Sequence, residues 1–150
     1  MFAGSYSLAI DEKGRIAIPA RFRQQLADDN GGVPLFITMG PKPCLEIYPA
    51  AEFQRLAADI QNLADRKTAD LLKQVFIGFA VESETDKQGR VVLPPILRKR
   101  VQLNGSAMLV GQITRFDVWA EDEWIRRFGE GPESQLDPAS LADAFAALKR

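Results

Sequence analysis

The sequence contains no histidine and only one cysteine, Cys44, among its 150 residues. Without histidine, the chain can build neither a Ser-His-Asp nor a Cys-His catalytic relay, and it has no imidazole to transfer protons near pH 7. Zinc sites that need histidine or four cysteines are excluded as well. A single cysteine cannot form an intramolecular disulfide, which fits a reducing cytosol. We therefore expect a binding protein that has no catalytic chemistry and needs no metal or small-molecule cofactor.

Long apolar runs are also missing from the chain. The longest are far shorter than the ~20 residues that a membrane span needs, and residues 1–4 lead into patterned sequence without a secretory signal. Hydrophobic residues make up 46% of the chain and charged residues 26%, which is ordinary for a globular protein. These features favour a cytoplasmic protein with one compact domain or two small ones. The net charge of -1 argues at first against a nucleic-acid partner.

One segment of the chain occurs twice, at an offset of 75 residues. Residues 11–23 read DEKGRIAIPARFR, and residues 86–98 read DKQGRVVLPPILR. The Asp, the Gly, the Pro and two Arg coincide, and the apolar positions between them match. The similarity continues at an offset of 71, as between Tyr48 and Trp119. A four-residue slip must therefore fall in the loop at residues 28–32, where an insertion costs little.

This duplication divides the chain into four predicted segments. They are a first repeat at residues 5–52, a helical linker at residues 53–80, a second repeat at residues 81–124 and a helical tail at residues 125–150. In the tail, Asp137 followed by Pro138 is typical of a helix start.

Periodicity predicts the same elements in both repeats. In the first repeat, residues 6–10 alternate like a half-buried strand, residues 11–14 form a turn, and residues 15–18 return as the second strand of a hairpin. Pro19 then starts a short helix, and two further strands follow. The predicted fold class is mainly β with short helices, an α+β fold.

Three features of the chain stand out together: Gly4-Ser5-Tyr6 near its start, the two Asp-x-x-x-Arg loops and the two helices that begin at proline. Across residues 1–128 they resemble the MraZ family of bacterial transcriptional regulators. The segments GRIAIP and GRVVLP are similar to the loop-strand signature of the wider SpoVT/AbrB class. The resemblance implies two AbrB-type swapped-hairpin repeats that form a pseudo-dimeric β-barrel. It also implies binding to promoter-proximal direct repeats of the cell division and cell wall gene cluster, by ring-shaped homo-oligomers.

The local charge removes the objection that the net charge raised. Residues 11–23 carry four basic and two acidic side chains, a balance of +2, and residues 86–100 carry five basic and one acidic, a balance of +4. The rest of the chain therefore carries -7. Because DNA responds to a local basic patch, these two segments predict double-stranded DNA as the partner.

The predicted base contacts are Arg15 and Arg90, because a guanidinium fork matches O6 and N7 of guanine. The predicted loop-orienting residues are Asp11, Asp86, Gly14 and Gly89. Phosphate contacts, which set register without reading sequence, are predicted for Lys13, Lys87, Arg21, Arg23, Arg98, Lys99 and Arg100. The alternative interpretation of each Asp–Arg pair is a surface salt bridge that only stabilises a tight turn.

These residues favour a sequence-specific DNA-binding regulator, a repressor that occupies promoter DNA as a homo-oligomer in the cytoplasm, associated with the nucleoid. One alternative is an AbrB-like antitoxin that binds DNA while it neutralises a toxin. Another is an oligomeric scaffold whose basic loops meet acidic proteins. An enzyme is disfavoured, because no clustered acid and base residues accompany the missing histidine.

Overall fold

A computed structural model describes residues 1–26 and 34–150, so the predicted slip at residues 28–32 lies outside the described residues. The strands are β1 (Ser5–Ala9), β2 (Arg15–Ala17), β3 (Pro34–Met39), β4 (Leu45–Pro49), β5 (Val81–Glu84), β6 (Arg90–Val92), β7 (Ser106–Gly111) and β8 (Phe116–Ala120). The α-helices are α1 (Ala20–Leu26), α2 (Ala50–Gln61), α3 (Arg66–Leu72), α4 (Pro95–Arg100), α5 (Glu121–Phe128) and α6 (Pro138–Ala146). This mixture of strands and short helices confirms the predicted α+β class.

The strands form two antiparallel sheets in which the repeats exchange partners. The larger sheet has the order β1-β7-β8-β4-β3-β5, and the smaller consists of β2 and β6. The first strand of each repeat pairs with the third strand of the other, so Tyr6 lies opposite Leu109 and Ser83 lies opposite Leu35. The centre of the larger sheet is the pairing of β4 with β8. The order of strands therefore reads the same from either edge when one repeat is substituted for the other.

Two expectations need correction. The hairpin predicted from residues 6–10 and 15–18 does not form, because β1 pairs with β7 and β2 pairs with β6. An alternating pattern identifies the buried face of a strand but leaves its partner open. Among the described strands no closed barrel forms either, since β1 and β5 end the larger sheet and β2 and β6 pair only with each other.

The hydrophobic core lies between the two sheets and the short helices that follow β2 and β6. The larger sheet contributes Leu35, Ile37, Leu45, Ile47, Leu109, Phe116 and Val118. From the smaller sheet, Ile16 and Val91 enter the same core and are each 1% exposed. Phe22 on α1 contacts the rings of Phe2 and Phe116, at centroid distances of 5.2 and 5.3 Å. This packing holds the small sheet, with its basic loops, against the larger one.

The linker is predicted as one helical segment, but the structure divides it. α2 ends at Gln61, and Asp65 then caps α3 by accepting a hydrogen bond from the backbone N–H of Lys67 at 3.2 Å. A π-helical turn, Lys73–Ile77, follows α3 directly. Phe53 of α2 stacks on Phe36 of β3 at 4.2 Å, so the linker packs on the face of the larger sheet that is turned away from the core.

Residues 121–150 form a second compact unit, separate from residues 1–120. Within it, Trp124 and Phe128 of α5 are in ring contact at 4.4 Å. Asp137 caps α6 by accepting hydrogen bonds from the backbone N–H groups of Ala139 and Ser140, at 3.0 and 3.3 Å, which confirms the predicted helix start. Among the described helices, none is both long enough and apolar enough to cross a membrane.

Candidate nucleic-acid interface

Each Asp-x-x-x-Arg loop is folded around its own carboxylate. In the first loop, Oδ1 of Asp11 accepts hydrogen bonds from the backbone N–H of Lys13 at 2.9 Å and of Arg15 at 2.8 Å. Oδ2 accepts one from Nε of Arg15 at 2.7 Å. The carboxylate therefore fixes both the backbone of the loop and the direction of the arginine side chain.

The second loop repeats this geometry. Oδ1 of Asp86 accepts from the backbone N–H of Gln88 at 2.9 Å and of Arg90 at 2.8 Å, and Oδ2 accepts from Nε of Arg90 at 2.9 Å. In each loop, the backbone N–H of the arginine is the main cause that lowers the pKa of the aspartate, against a smaller opposing effect of desolvation. The aspartates are charged at neutral pH and bind the loop as carboxylates.

The two loop glycines have a backbone conformation that other residues rarely adopt. Gly14 and Gly89 both have a φ of 76°, in the left-handed region. Their N–H groups donate to the carbonyls of Asp11 and Asp86, at 2.9 and 3.0 Å, and close the two turns. The loop-orienting role of both glycines stays a prediction, which their left-handed conformation supports.

The small sheet places both arginines on one exposed face. Arg15 lies opposite Val92 and Arg90 lies opposite Ala17, with the buried pair Ile16 and Val91 between them. The two arginines are diagonal neighbours, with Cα atoms about 7–8 Å apart. Val92 is 47% exposed at the centre of this face. We call the outward face of β2 and β6, with the loops at residues 11–15 and 86–90, the basic ribbon.

The predicted phosphate contacts lie in two kinds of position. Five are exposed: Lys13 and Lys87 in the loops, Arg21 on α1, and Lys99 and Arg100 on α4. Arg100 also places its guanidinium carbon 4.4 Å from the ring centroid of Phe79. The other two, Arg23 and Arg98, turn back to the protein and donate from Nε to the carbonyls of Ile18 and Leu93, each at 3.0 Å.

Sequence reasoning missed that Arg23 and Arg98 reach across to the loop of the other repeat. A Cβ atom placed on Gly89 would lie 2.5 Å from Cδ of Arg23, and one placed on Gly14 would lie 2.7 Å from Cζ of Arg98. The only signal in the sequence is that an arginine follows each loop glycine after nine residues. That spacing does not reveal which of the two glycines the arginine contacts.

Nothing in the described part of the chain, residues 1–26 and 34–150, groups three or more cysteine, aspartate or glutamate residues as a metal site. Cys44 is a buried, unbonded thiol. The chemistry of the basic ribbon is instead that of hydrogen-bond donors and positive charge, arranged on a narrow two-stranded surface.

A family model matches the chain twice, over residues 1–75 and 76–143, and is described as "MraZ protein, putative antitoxin-like". The chain belongs to the MraZ family. Proteins named transcriptional regulator MraZ are similar to this chain over most of their length. That of Alcanivorax borkumensis is 39% identical, with 99% of each chain covered. That of Shewanella oneidensis is 38% identical, with 89% of each covered, and that of Shewanella amazonensis is 44% identical, with 83% and 82% covered.

The MraZ relatives are named as transcriptional regulators and not as enzymes. This agrees with the expectation of a regulatory protein without catalytic chemistry. The two matches of the MraZ model also agree with the duplication that the sequence repeat predicts.

Proposed function

We propose that this chain is a sequence-specific DNA-binding transcriptional regulator, a repressor that binds promoter-proximal direct repeats of the cell division and cell wall gene cluster. The observation that supports this best is the basic ribbon, in which two equivalent Asp–Arg loops share one exposed face. A two-stranded ribbon is narrow enough to enter the major groove of B-DNA. Each half of the ribbon would then present one arginine to the edges of the bases.

Arg15 and Arg90 are suited to read guanine. Their Nε atoms are bound by Asp11 and Asp86, which leaves the terminal nitrogens Nη1 and Nη2 as the pair that would meet O6 and N7. The side chains are 23% and 32% exposed, so they are accessible but already oriented. An oriented arginine loses less conformational entropy on binding than a mobile one. Each bidentate contact would discriminate against a wrong base by about 1–3 kcal/mol.

The remaining basic residues around the ribbon would bind phosphates and fix the register of the protein on DNA. This group consists of Lys13, Lys87, Arg21, Lys99 and Arg100, whereas the other two predicted contacts, Arg23 and Arg98, already bind backbone carbonyls through Nε. Because positive charge is concentrated in residues 11–23 and 86–100, which contain both strands of the ribbon, while the rest of the chain is acidic, the protein would approach DNA with this face.

The two repeats would act as the two halves of a pseudo-dimer, since each contributes one strand to the ribbon and one reading loop. A single protomer offers few base contacts and therefore modest affinity. We propose that the protein forms a ring-shaped homo-oligomer in the cytoplasm, associated with the nucleoid, that presents several ribbons to repeated DNA sites. Such an arrangement raises the effective concentration of each further contact.

A second candidate is an antitoxin that binds DNA and also neutralises a toxin, which the description of the family model favours. An AbrB-like antitoxin typically has one copy of the fold and a disordered toxin-binding tail. This chain has two copies, and the tail contains a capped helix, α6. We therefore place the DNA-binding regulator first.

The experiment measures the affinity of the protein by fluorescence anisotropy, for the promoter DNA upstream of its own gene and for scrambled DNA, over a series of salt concentrations. The wild type should prefer the promoter and show a steep salt dependence. The double variant Arg15→Ala/Arg90→Ala should lose that preference. The matched control is Arg55→Ala, which removes an exposed arginine from α2 and should bind like the wild type. Equal affinity for both DNAs, or an unchanged double variant, would contradict base reading. Light scattering that finds only monomer at micromolar concentration would contradict the ring.

A further inference from the structure

Arg23 and Arg98 are placed to act on the reading loop of the repeat to which they do not belong. Arg23 follows the first loop in the chain, yet its side chain covers Gly89 of the second. Arg98 follows the second loop, yet its guanidinium covers Gly14 of the first, where an added Cβ would lie 2.7 Å from both Cζ and Nη2. Both glycines are buried under these side chains although they lie in surface loops.

Backbone hydrogen bonds follow the same exchange. The N–H of Ile18 donates to the carbonyl of Gly89 at 2.9 Å, and the carbonyl of Ile18 accepts from Nε of Arg23 at 3.0 Å. Ile18, the residue that follows β2, therefore binds both the glycine of the other loop and the arginine that covers it.

The mirror arrangement occurs at the other loop. The N–H of Leu93 donates to the carbonyl of Gly14 at 2.9 Å, and the carbonyl of Leu93 accepts from Nε of Arg98 at 3.0 Å. The two loops are thus held by the same set of contacts, with the repeats interchanged.

We propose that Arg23 and Arg98 are positioning residues that act on the opposite repeat of the same chain. Arg98 fixes the conformation of the loop that carries Arg15, and Arg23 fixes that of the loop that carries Arg90. The inference rests on the proposed function, because the loops matter here as DNA-reading elements. It differs from a phosphate-contact role, in which each of these arginines would act through its own charge. It also makes the two reading loops mutually dependent, since each needs a residue of the other repeat.

The chemistry of the contact favours positioning over phosphate binding. The guanidinium is planar, so it can lie flat over a glycine and donate to a carbonyl at its edge. A glycine in the left-handed region gains no restraint from a side chain of its own. The covering arginine supplies that restraint from outside and limits the conformations that the loop can adopt.

Double-mutant cycles of promoter DNA binding test whether each arginine acts on the loop of the other repeat. Arg98→Ala should weaken binding about tenfold in the wild type and in Arg90→Ala, but less than about twofold in Arg15→Ala, because residues that act as one unit are not additive. Arg23→Ala should show the opposite dependence, losing its effect in Arg90→Ala. Equal losses in both backgrounds, or coupling of each arginine to its own repeat, would overturn the proposal.

Arg98→Lys separates the flat guanidinium from the charge. A lysine keeps the positive charge but cannot cover Gly14 with a plane. We expect Arg98→Lys to bind as weakly as Arg98→Ala, with a salt dependence close to that of the wild type. If Arg98→Lys retained most of the wild-type affinity for DNA, Arg98 would be a phosphate contact and the proposal would be overturned. The same conclusion would follow if the slope of log affinity against log salt concentration fell by about one in Arg98→Ala but not in Arg98→Lys.

Hydrogen exchange of the protein without DNA gives an independent measurement. Arg98→Ala should speed the exchange of the amides at residues 13–15, and leave those at residues 88–90 unchanged. Arg23→Ala should do the reverse. This result does not depend on DNA, so it distinguishes a failure of the contact between the repeats from a failure of the proposed function. Faster exchange in the loop of the same repeat, or in neither loop, would overturn the proposal whatever the DNA measurements show.

Discussion

Glu46 and Asp117 lie directly opposite each other where β4 pairs with β8, and both are within ion-pair distance of the guanidinium of Arg115. Nε of Arg115 donates to Oδ1 of Asp117 at 2.9 Å, and an Nη atom lies 3.7 Å from Oε2 of Glu46. The hydroxyl of Tyr48 donates to Oε1 of Glu46 at 2.7 Å. Glu46 and Asp117 occupy equivalent positions of the two repeats, so one guanidinium contacts the paired acidic side chains of both.

Removal of that arginine should destabilise the protein. Burial alone would lower the pKa of Arg115, but the hydrogen bond and charge of Asp117, with the charge of Glu46, raise it and keep the guanidinium protonated. Arg115→Met would leave two buried carboxylates without a cation. Breaking a buried pair in this way costs ~3–5 kcal/mol, and because Arg115 is 25% exposed we expect a loss of about 3 kcal/mol. Urea unfolding followed by circular dichroism measures it.

The matched control is Arg55→Met. Arg55 on α2 also contacts two carboxylates, those of Glu52 and Asp59, but Arg55 and Asp59 are 57% and 61% exposed and only Glu52, at 18%, is partly buried. Exposed ion pairs contribute about 0–1 kcal/mol. Equal losses of unfolding free energy in Arg55→Met and Arg115→Met would show that the buried pairing of Glu46 and Asp117 does not need its arginine.

The thiol of Cys44 should be unreactive in the folded protein. Burial, followed by the charges of Asp117 and Glu46, raises the pKa of Cys44 from its ordinary 9.0 to about 12. Since the thiolate is the nucleophile, iodoacetamide should modify the native protein far more slowly than the urea-unfolded protein at the same mildly alkaline pH. Similar rates of alkylation in both states would contradict the burial of Cys44.

The same shift gives a dependence of stability on pH. The folded pKa of Cys44 lies above the unfolded value, so the folded state holds the proton more tightly. This contribution to stability is fully present below about pH 9 and is lost as the pH rises through about 12. The urea midpoint of Cys44→Ala should therefore fall less steeply than that of the wild type across this range.

The parts of the candidate site that form within one short segment could be predicted from the sequence, and the contacts between the two repeats could not. The Asp11–Arg15 loop forms within five residues, so its motif specifies it directly, and the cap at Asp137 is equally local. The partner of β1 and the glycine under Arg23 are different cases. Because the repeats share one pattern, a contact within a repeat and the corresponding contact between repeats have the same sequence signature. Only the packing of the whole chain decides between them.

Asp65 caps the helix that follows the break in the linker. Besides the backbone of Lys67, the carboxylate of Asp65 accepts a hydrogen bond from Oγ1 of Thr68 at 2.6 Å. Asp65→Ala would remove this cap and should lower the unfolding free energy by about 0.5–2 kcal/mol. Asp65→Asn, which retains a capping oxygen, should lose much less. Calorimetric melting of the two variants compares them, and equal losses would contradict a capping role for Asp65.

The loop glycines offer the sharpest comparison in the chain, because Gly105 has nearly the same backbone angle in a different setting. Gly14 has a φ of 76° and lies under Arg98, whereas Gly105 has a φ of 74° and has no atom within 4 Å of an added Cβ. Gly105→Ala should therefore cost only the left-handed strain, about 1 kcal/mol of unfolding free energy. Gly14→Ala should cost this strain and also displace Arg98.

The two substitutions should differ even more in DNA binding. Gly14→Ala should weaken promoter binding as Arg98→Ala does, because both remove the packing of Arg98 on the first loop. Gly105→Ala should bind DNA like the wild type, because its strain is outside the basic ribbon. Anisotropy and thermal unfolding of both variants make the comparison. If the two alanines weaken binding equally, the loss follows from general destabilisation, and the conformation of the loop at Gly14 is not what the DNA contact requires.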